Sequence, residues 1–360
     1  MMRAALALAR RSLGRTWPNP AVGCVIVKDG KVVGRGRTRD GGRPHAEVDA
    51  LSLAGDAARG ATAYVTLEPC SHFGKSPPCA DALVEAGVVK VVSALEDPNP
   101  QVNGRGHARL REAGIAVEVG EGAAEAAEIN AGFLLRIRDG RPLFHLKLAT
   151  SLDGQIATAS GESRWITGEA ARADVHRLRA THDAVLVGSG TAAADDPDLT
   201  SRLPGLGPYS PVRIVLDSMA QLSPSSRLAA TAHKVPVWLL CTSAAPPSAR
   251  AALKARGVEI MQTAADDAGR VDVAAAAREL GNRQLTRVLI EGGGQVAAAF
   301  LKAGLVDRLS IYRGGLTLGA DGRSAVGPLG LQKLDFAPRF SAISSRVMGG
   351  DTLETWRRAT

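Results

Sequence analysis

The residues best placed to do chemistry stand early in the 360-residue chain: Pro44-His45-Ala46-Glu47, then Pro69-Cys70, then Cys79. A catalytic zinc takes three protein ligands, commonly His nitrogen and Cys sulfur, and keeps a fourth position for water. His45, Cys70 and Cys79 supply that set. His45 and Cys79 each precede a predicted helix, over 46–53 and 80–86, and the positive end of a helix dipole favours thiolate over thiol. Glu47 follows His45 by two residues, so in a first helical turn both can face one site. A carboxylate beside a zinc-activated water can take its proton and deliver it to a substrate nitrogen, which is the chemistry of hydrolytic deamination. The rival reading is a structural zinc staple with His72 as fourth ligand, since structural sites normally have four protein ligands. Cys24 and Cys241 fall in apolar runs and read as inert core.

A second constellation lies downstream. Val187-Gly188-Ser189-Gly190-Thr191 follows a predicted strand, and Glu291-Gly292-Gly293-Gly294-Gln295 follows another and opens a helix. Glycines after a strand let backbone N–H groups approach a pyrophosphate at a helix N-terminus. Either cluster alone reads more readily as a turn; two in one half point to a dinucleotide. Neither is a G-x-G-x-x-G fingerprint with an acidic residue about 20 positions on, so a Rossmann domain is disfavoured.

Elements of an α/β fold must position both sets. In the first half, 22–27, 63–67, 88–94 and 115–119 read as strands, separated by the two helices above and by one closing at Leu110–Gly114. A single long helix is predicted over 123–138, ending in Asp139-Gly140-Arg141-Pro142, a breaker cluster that marks a boundary between domains 1–140 and 141–360. The strand rhythm then restarts at 143–149, 184–187, 212–216, 235–240, 258–261 and 287–290. Helices over 169–180, 248–256, 271–280 and 295–303 intervene. The tail, 341–347 and 352–356, reads as an antiparallel pair joined at Gly349-Gly350. There is no internal repeat.

Composition sets outer bounds. With 45% hydrophobic and 22% charged residues the chain is globular, and its length suits two domains. Four cysteines cannot make a disulfide framework, so a reducing, cytoplasmic setting is expected. The net charge of +8 is compatible with anionic ligands, but aromatics at 4% count against a base-stacking groove for nucleic acid. The longest apolar run, near 21–27, is far short of the roughly 20 residues of a membrane helix. The N-terminus reads as an amphipathic helix and not a signal peptide, because Arg10 and Arg11 interrupt it and no small-residue cleavage site follows. No nucleic acid or membrane partner is expected, and a homo-oligomer is.

The zinc residues resemble the nucleobase deaminase superfamily, whose pattern is H-x-E…P-C-x-x-C. Here Ser71 through Pro78 separate the cysteines, which departs from that spacing and is similar instead to the deaminase domain of bacterial riboflavin-biosynthesis enzymes. PCSHFGKSPPC (69–79), TWPNPAVGCVIV (16–27) and EDPNPQVNGRG (96–106) carry this likeness. LKLATSLDGQIA (146–157), SGESRWIT (160–167), GTAAADDPDLTSR (190–202), IVLDS (214–218) and IEGGG (290–294) resemble the reductase domain of the same enzymes. The resemblance implies a cytidine-deaminase-like α/β/α domain followed by a dihydrofolate-reductase-like α/β domain, with Zn2+ and NADPH as cofactors and phosphorylated pyrimidines as substrates. It implies that Asn19, His72, Lys75, Asp97 and Asn99 contact the first substrate, with Glu47 as the proton carrier. In the second domain Ala149, Trp165, Thr191, Asp195, Ser218 and the run Gly293, Gly294, Gln295, Val296, Ala297, Ala298, Ala299 would contact the cofactor. Ser163, Arg179, Leu199, Arg202 and Glu291 would contact the second substrate, the arginines on its phosphate. Lys147 would polarise the reacting group. Read from the residues alone, Asn19 could be a turn residue, Lys75 a solvated lysine, Trp165 plain core, Arg179 a helix-surface arginine, and Lys147 an interior lysine paired with Asp153 or Asp195. The rival functions are a nucleic-acid base deaminase with an accessory domain and a non-catalytic zinc module.

Overall fold

The computed structural model describes residues 1–74 and 77–359. The chain divides into two compact units, Met1–Gly140 and Arg141–Thr360. Gly140, with φ 67°, caps the last helix of the first unit in the left-handed conformation that glycine adopts without strain.

The first unit runs α1 (Met2–Arg10), β1 (Gly23–Lys28), β2 (Lys31–Arg37), α2 (Ala46–Ala54), β3 (Thr62–Val65), α3 (Cys79–Glu85), β4 (Lys90–Ser93), α4 (Arg105–Glu112), β5 (Ala116–Val119), α5 (Ala123–Ile129) and α6 (Ala131–Asp139). Its sheet has the order β2-β1-β3-β4-β5. β1 is antiparallel to β2 and β3, while β3, β4 and β5 are parallel. Ile26, Ala50, Val65, Leu83, Val91 and Leu110 share one core. The edge strand β2 has no counterpart among the predicted strands, because Gly34 and Gly36 break its β-propensity. Those glycines let α2 lie directly on the strand: a Cβ at Gly36 would stand 2.3 Å from the Ala46 carbonyl oxygen, and one at Gly34 2.3 Å from that of Ala50. The long helix expected over 123–138 is two helices that break at Asn130. The Asn130 amide accepts from the Ala21 N–H (2.9 Å) and donates to the Ala21 carbonyl (3.1 Å), a tether that holds the chain at the break.

The second unit runs β6 (Leu143–Thr150), β7 (Gln155–Ala157), α7 (Glu169–Arg179), β8 (Ala184–Gly188), α8 (Ser189–Asp195), β9 (Val212–Leu216), α9 (Arg227–Ala230), β10 (Val237–Cys241), α10 (Pro247–Lys254), β11 (Glu259–Gln262), α11 (Val273–Asn282), β12 (Arg287–Ile290), α12 (Gly294–Lys302), β13 (Val306–Arg313), β14 (Arg323–Ser324), β15 (Phe340–Met348) and β16 (Asp351–Arg358). Nine strands form one sheet in the order β11-β10-β9-β8-β12-β6-β13-β16-β15, and β7 pairs with β14. The sheet is parallel from β11 to β13, then antiparallel through β16 and β15. β13 is also absent from the expected set, as are the short β7 and β14: Asp307, Arg308 and Arg313 mask the alternation of β13. Parallel order gathers the carboxyl ends of β6, β8, β9 and β12 on one edge, where open α/β sheets bind ligands. Among the described residues no helix is long and apolar enough to cross a membrane.

Candidate active sites

His45 is the N-cap of α2, with extended backbone (φ −69°, ψ 160°). Its Nδ1 stands 3.3 Å from Cys79 Sγ and 3.6 Å from Cys70 Sγ. Cys79 opens α3, and its backbone N–H donates to Cys70 Sγ at 3.3 Å. The three donor atoms all lie within 4.8 Å of one another, and one nitrogen with two sulfurs is a donor set that zinc favours. The side chain of Cys79, then that of His45, hydrogen-bonds Cys70 and draws its thiol down to about 4, so a thiolate is at hand. His72 is half-buried and is not a member of this cluster, which corrects the staple reading that made it a fourth ligand. Glu47, in the first turn of α2, is 4% exposed. Burial pushes its carboxyl up to about 7 against the opposing pull of His45, a range in which a carboxyl can both take and give a proton near neutrality.

The surrounding residues come from three loops. Asn19 ends a turn in which its N–H donates to the Thr16 carbonyl, and its amide packs on Gly42, where a Cβ would lie 2.0 Å from Nδ2. The turn reading of Asn19 is thus right about its backbone, while its side chain reaches the segment leading to His45. Asp97 is 6% exposed; burial raises it to about 6, and it feels the charges of Cys70 and His72. Its Oδ1 accepts the Asn99 N–H at 2.9 Å, and Asn99 Oδ1 accepts that of Gln101 at 3.1 Å. Lys75 lies outside the described residues. Glu68, absent from the sequence-based set, organises this loop. Its buried carboxylate accepts the backbone N–H groups of Asp97 (3.1 Å), Gly104 (3.0 Å), Gly106 (2.8 Å) and His107 (3.2 Å). The only sequence hint was an acidic residue beside Pro69 at the end of an apolar strand.

In the second unit two clefts adjoin along the carboxyl edge of the sheet, sharing Ser163, Thr191, Asp195, Gly293 and Gly294. The first, about 510 Å³, brings together Lys147, Ala149, Trp165, Arg179, Leu199, Arg202, Glu291 and Ala297. The second, about 720 Å³, holds Ser218, Gln295, Val296 and Ala299 beside the glycine turns. Ala298 is the exception: it is buried, and its Cβ faces Gly327 instead of a cleft, as helical spacing on α12 requires. Gly293 has φ 72°, and Thr191 Oγ1 lies 3.3 Å from where its Cβ would stand.

Three expectations for this unit need correction. Trp165 is not core: it is 68% exposed, with the Arg172 guanidinium 4.4 Å from its ring centroid. Arg179 is not on the surface, because it pairs in bidentate fashion with Glu291 at 2.5 and 2.8 Å, both side chains nearly buried. That pairing spends its fork on a carboxylate, while Arg202 stays 61% exposed beside Asp198 and free to meet an anion. Lys147 has no ion pair with Asp153, whose oxygens accept the N–H groups of Leu318 and Gly319, nor with Asp195. Burial lowers the Lys147 amine from its usual range, and its charged neighbours are Glu291 and Arg179.

A first unit with a cytidine-deaminase-like zinc cluster, joined to a dihydrofolate-reductase-like unit with a glycine-lined cleft, defines the class as a two-domain deaminase–reductase. Family models agree: residues 1–95 match the cytidine and deoxycytidylate deaminase zinc-binding region, and residues 142–353 match the RibD C-terminal domain. The chain is 45% identical to the riboflavin biosynthesis protein RibD of Escherichia coli, with 97% of this chain and 96% of that protein covered. Among solved structures it is similar to Acinetobacter baumannii RibD (39% identity, TM-score 0.89, 100% and 98% of the chains covered). It is similar also to a diaminohydroxyphosphoribosylaminopyrimidine deaminase/5-amino-6-(5-phosphoribosylamino)uracil reductase of Thermotoga maritima (35%, TM-score 0.86, 99% and 97% covered). The chain belongs to the RibD family of bifunctional riboflavin-biosynthesis deaminase/reductases.

Proposed function

We propose that the first unit hydrolytically deaminates 2,5-diamino-6-(5-phosphoribosylamino)pyrimidin-4(3H)-one, and that the second reduces the ribosyl group of 5-amino-6-(5-phosphoribosylamino)uracil to ribityl with NADPH. The observation that carries the first step is the triad of His45 Nδ1, Cys70 Sγ and Cys79 Sγ with a buried carboxyl, Glu47, on the same helix turn. His45, Cys70 and Cys79 would hold zinc, which would supply the Lewis acidity that makes water a nucleophile at neutral pH. Glu47, buried beside that site with its carboxyl raised to about 7, is placed to carry a proton from the attacking water to the 2-amino nitrogen, which leaves as ammonia. Asn19, His72, Lys75 and the Asp97–Asn99 loop hold the pyrimidine and its phosphoribosyl arm.

In the second step NADPH supplies the hydride. The reducible species would be the open-chain imine or aldehyde form of the ribosylamine, because a closed furanose offers no electrophilic carbon. The buried Lys147 amine polarises that group, Glu291 orients the sugar, and Arg179 holds Glu291 ionised in its place. The exposed Arg202 fork meets the phosphate. Ser163 and Leu199 complete the substrate wall, and Ala149, Trp165, Thr191, Asp195, Ser218 and the Gly293–Ala299 turn hold the cofactor. The partners are small phosphorylated pyrimidines in the cytoplasm, with no part for nucleic acid or membrane. A second copy of the chain pairs along β15, an open sheet edge with Ile343 49% and Val347 78% exposed.

The test is Glu47→Gln. An amide keeps the shape and the hydrogen bonds but cannot carry the proton, so ammonia release falls by about 10²–10⁴-fold. Bound zinc and NADPH-dependent reduction stay at wild-type levels. Deamination at the wild-type rate would remove Glu47 from the role.

A further inference from the structure

The larger cleft of the second unit extends beyond the glycine turns to Ser218 and to a tight turn over 266–271. That turn is built around one side chain. Asp266 Oδ1 accepts the N–H groups of Ala268 (3.0 Å) and Arg270 (2.8 Å), and Oδ2 accepts Arg270 Nε (3.1 Å) and forms an ion pair with Nη2 at 3.0 Å. The Arg270 guanidinium is thereby fixed on one side and leaves Nη1 free of that pairing, on a side chain 61% exposed. The Val271 N–H donates to Ser218 Oγ at 2.9 Å, which docks the turn on the end of β9. Ser218 Oγ is an acceptor in that bond, so its own hydrogen is left to donate to a ligand.

Sheet order says which part of a dinucleotide reaches this point. The strands run β9-β8-β12-β6. With the nicotinamide beside Lys147 and Ala149 on β6, and the pyrophosphate on the glycine turns after β12 and β8, the adenosine falls at β9. NADPH and NADH differ only in the 2′-phosphate of that adenosine. The other cation of the cleft, Arg323, belongs to the β7–β14 ribbon beside Gly161, not to the Ser218 end. Resting on the reading of this unit as a reductase, we propose that Arg270, aimed by Asp266 and joined by the Ser218 hydroxyl, binds the adenosine 2′-phosphate and makes the enzyme select NADPH over NADH.

Binding of 2′,5′-ADP and of 5′-AMP to the full chain, measured by calorimetry, tests this without turnover, because the two ligands differ only in the 2′-phosphate. A charge-assisted contact of this kind makes wild-type protein prefer 2′,5′-ADP by on the order of ten- to a hundredfold. Arg270→Ala brings the ratio close to one while leaving 5′-AMP affinity in place, which also shows that the fold is kept. Arg270→Lys retains part of the preference, and the KM ratio for NADPH and NADH moves in step. If Arg270→Ala keeps the wild-type ratio, another group reads the phosphate and the proposal falls, with the reductase reading intact. If wild-type protein binds neither nucleotide, the dinucleotide reading fails and takes the proposal with it.

Discussion

Gly36→Ala is expected to disable the deaminase and spare the reductase. Gly36 sits on β2 directly under α2, the helix whose N-cap is His45 and whose first turn carries Glu47. An added Cβ would stand 2.3 Å from the Ala46 carbonyl oxygen, 2.4 Å from the Ala50 nitrogen and 2.8 Å from Asp49 Cβ. Two of these atoms are backbone, so no rotamer change relieves the overlap. Ordinary contact begins near 3.4 Å, and the shortfall of 1.1 Å must be met by moving the helix. Asp49 resists that movement, because its carboxylate accepts the Arg37 N–H at 3.0 Å and Arg39 Nε at 2.9 Å. Overpacking of this kind costs about 1–3 kcal/mol. A displacement of about 1 Å at a reacting group can cost 10²-fold in rate. Glu47 and His45 would shift against Cys70 and Cys79, which are on other elements. The expected outcome is ammonia release reduced about a hundredfold, with lower zinc occupancy and an unchanged rate of NADPH oxidation on the deaminated intermediate in the same sample. Gly207→Ala, where an added Cβ meets nothing within 4 Å, serves as the neutral control. An alanine variant at Gly36 that melts and deaminates like wild type would refute the argument that this glycine seats α2.

Gly293→Val should abolish NADPH binding, since valine is strained at φ 72° and crowds Thr191 at the turn proposed to meet the pyrophosphate; quenching of tryptophan fluorescence by NADPH reads the loss, and ammonia release stays normal. Acid should destabilise the second unit through its buried histidine pair. His145 Nδ1 and His182 Nε2 lie 3.3 Å apart, and burial holds His182 down at about 3. Below the ordinary histidine value near 6.5 the unfolded chain takes up a proton that the folded one refuses, so stability is full above about 6.5 and falls with pH, by about 2 kcal/mol at pH 5 for His182 alone. Urea melts of wild type between pH 7 and 5 should show this slope and His182→Gln should flatten it; equal slopes would assign the acid sensitivity elsewhere.

The zinc triad was legible because its residues are chemically distinctive and lie within a short stretch. The same holds for the placement of the glycine turns, each following a strand and opening a helix. Glu68 was not legible, since its role is defined by four backbone N–H groups of a segment that folds back from residues 97–107. Asn130 broke a helix for the same kind of reason: its propensity is unremarkable, and the break comes from a hydrogen-bonded tether to Ala21. β2 and β13 were missed because glycines on one and charges on the other hide the apolar pattern that tertiary packing completes. Trp165 and Arg179 show the converse. Their residue types suggested core and surface, and the cleft between α7 and the sheet edge placed them the other way round.

Product analysis by mass after incubation with the phosphoribosylated diaminopyrimidinone, without and then with deuteride-labelled NADPH, tests the central claim most directly. Without the cofactor the account predicts ammonia and a product in which a carbonyl oxygen replaces the 2-amino group; with it, the same product gains deuterium at C1 of a ribityl chain. Unchanged substrate in the first incubation, or a reduced sugar with no deuterium at C1 in the second, would contradict it.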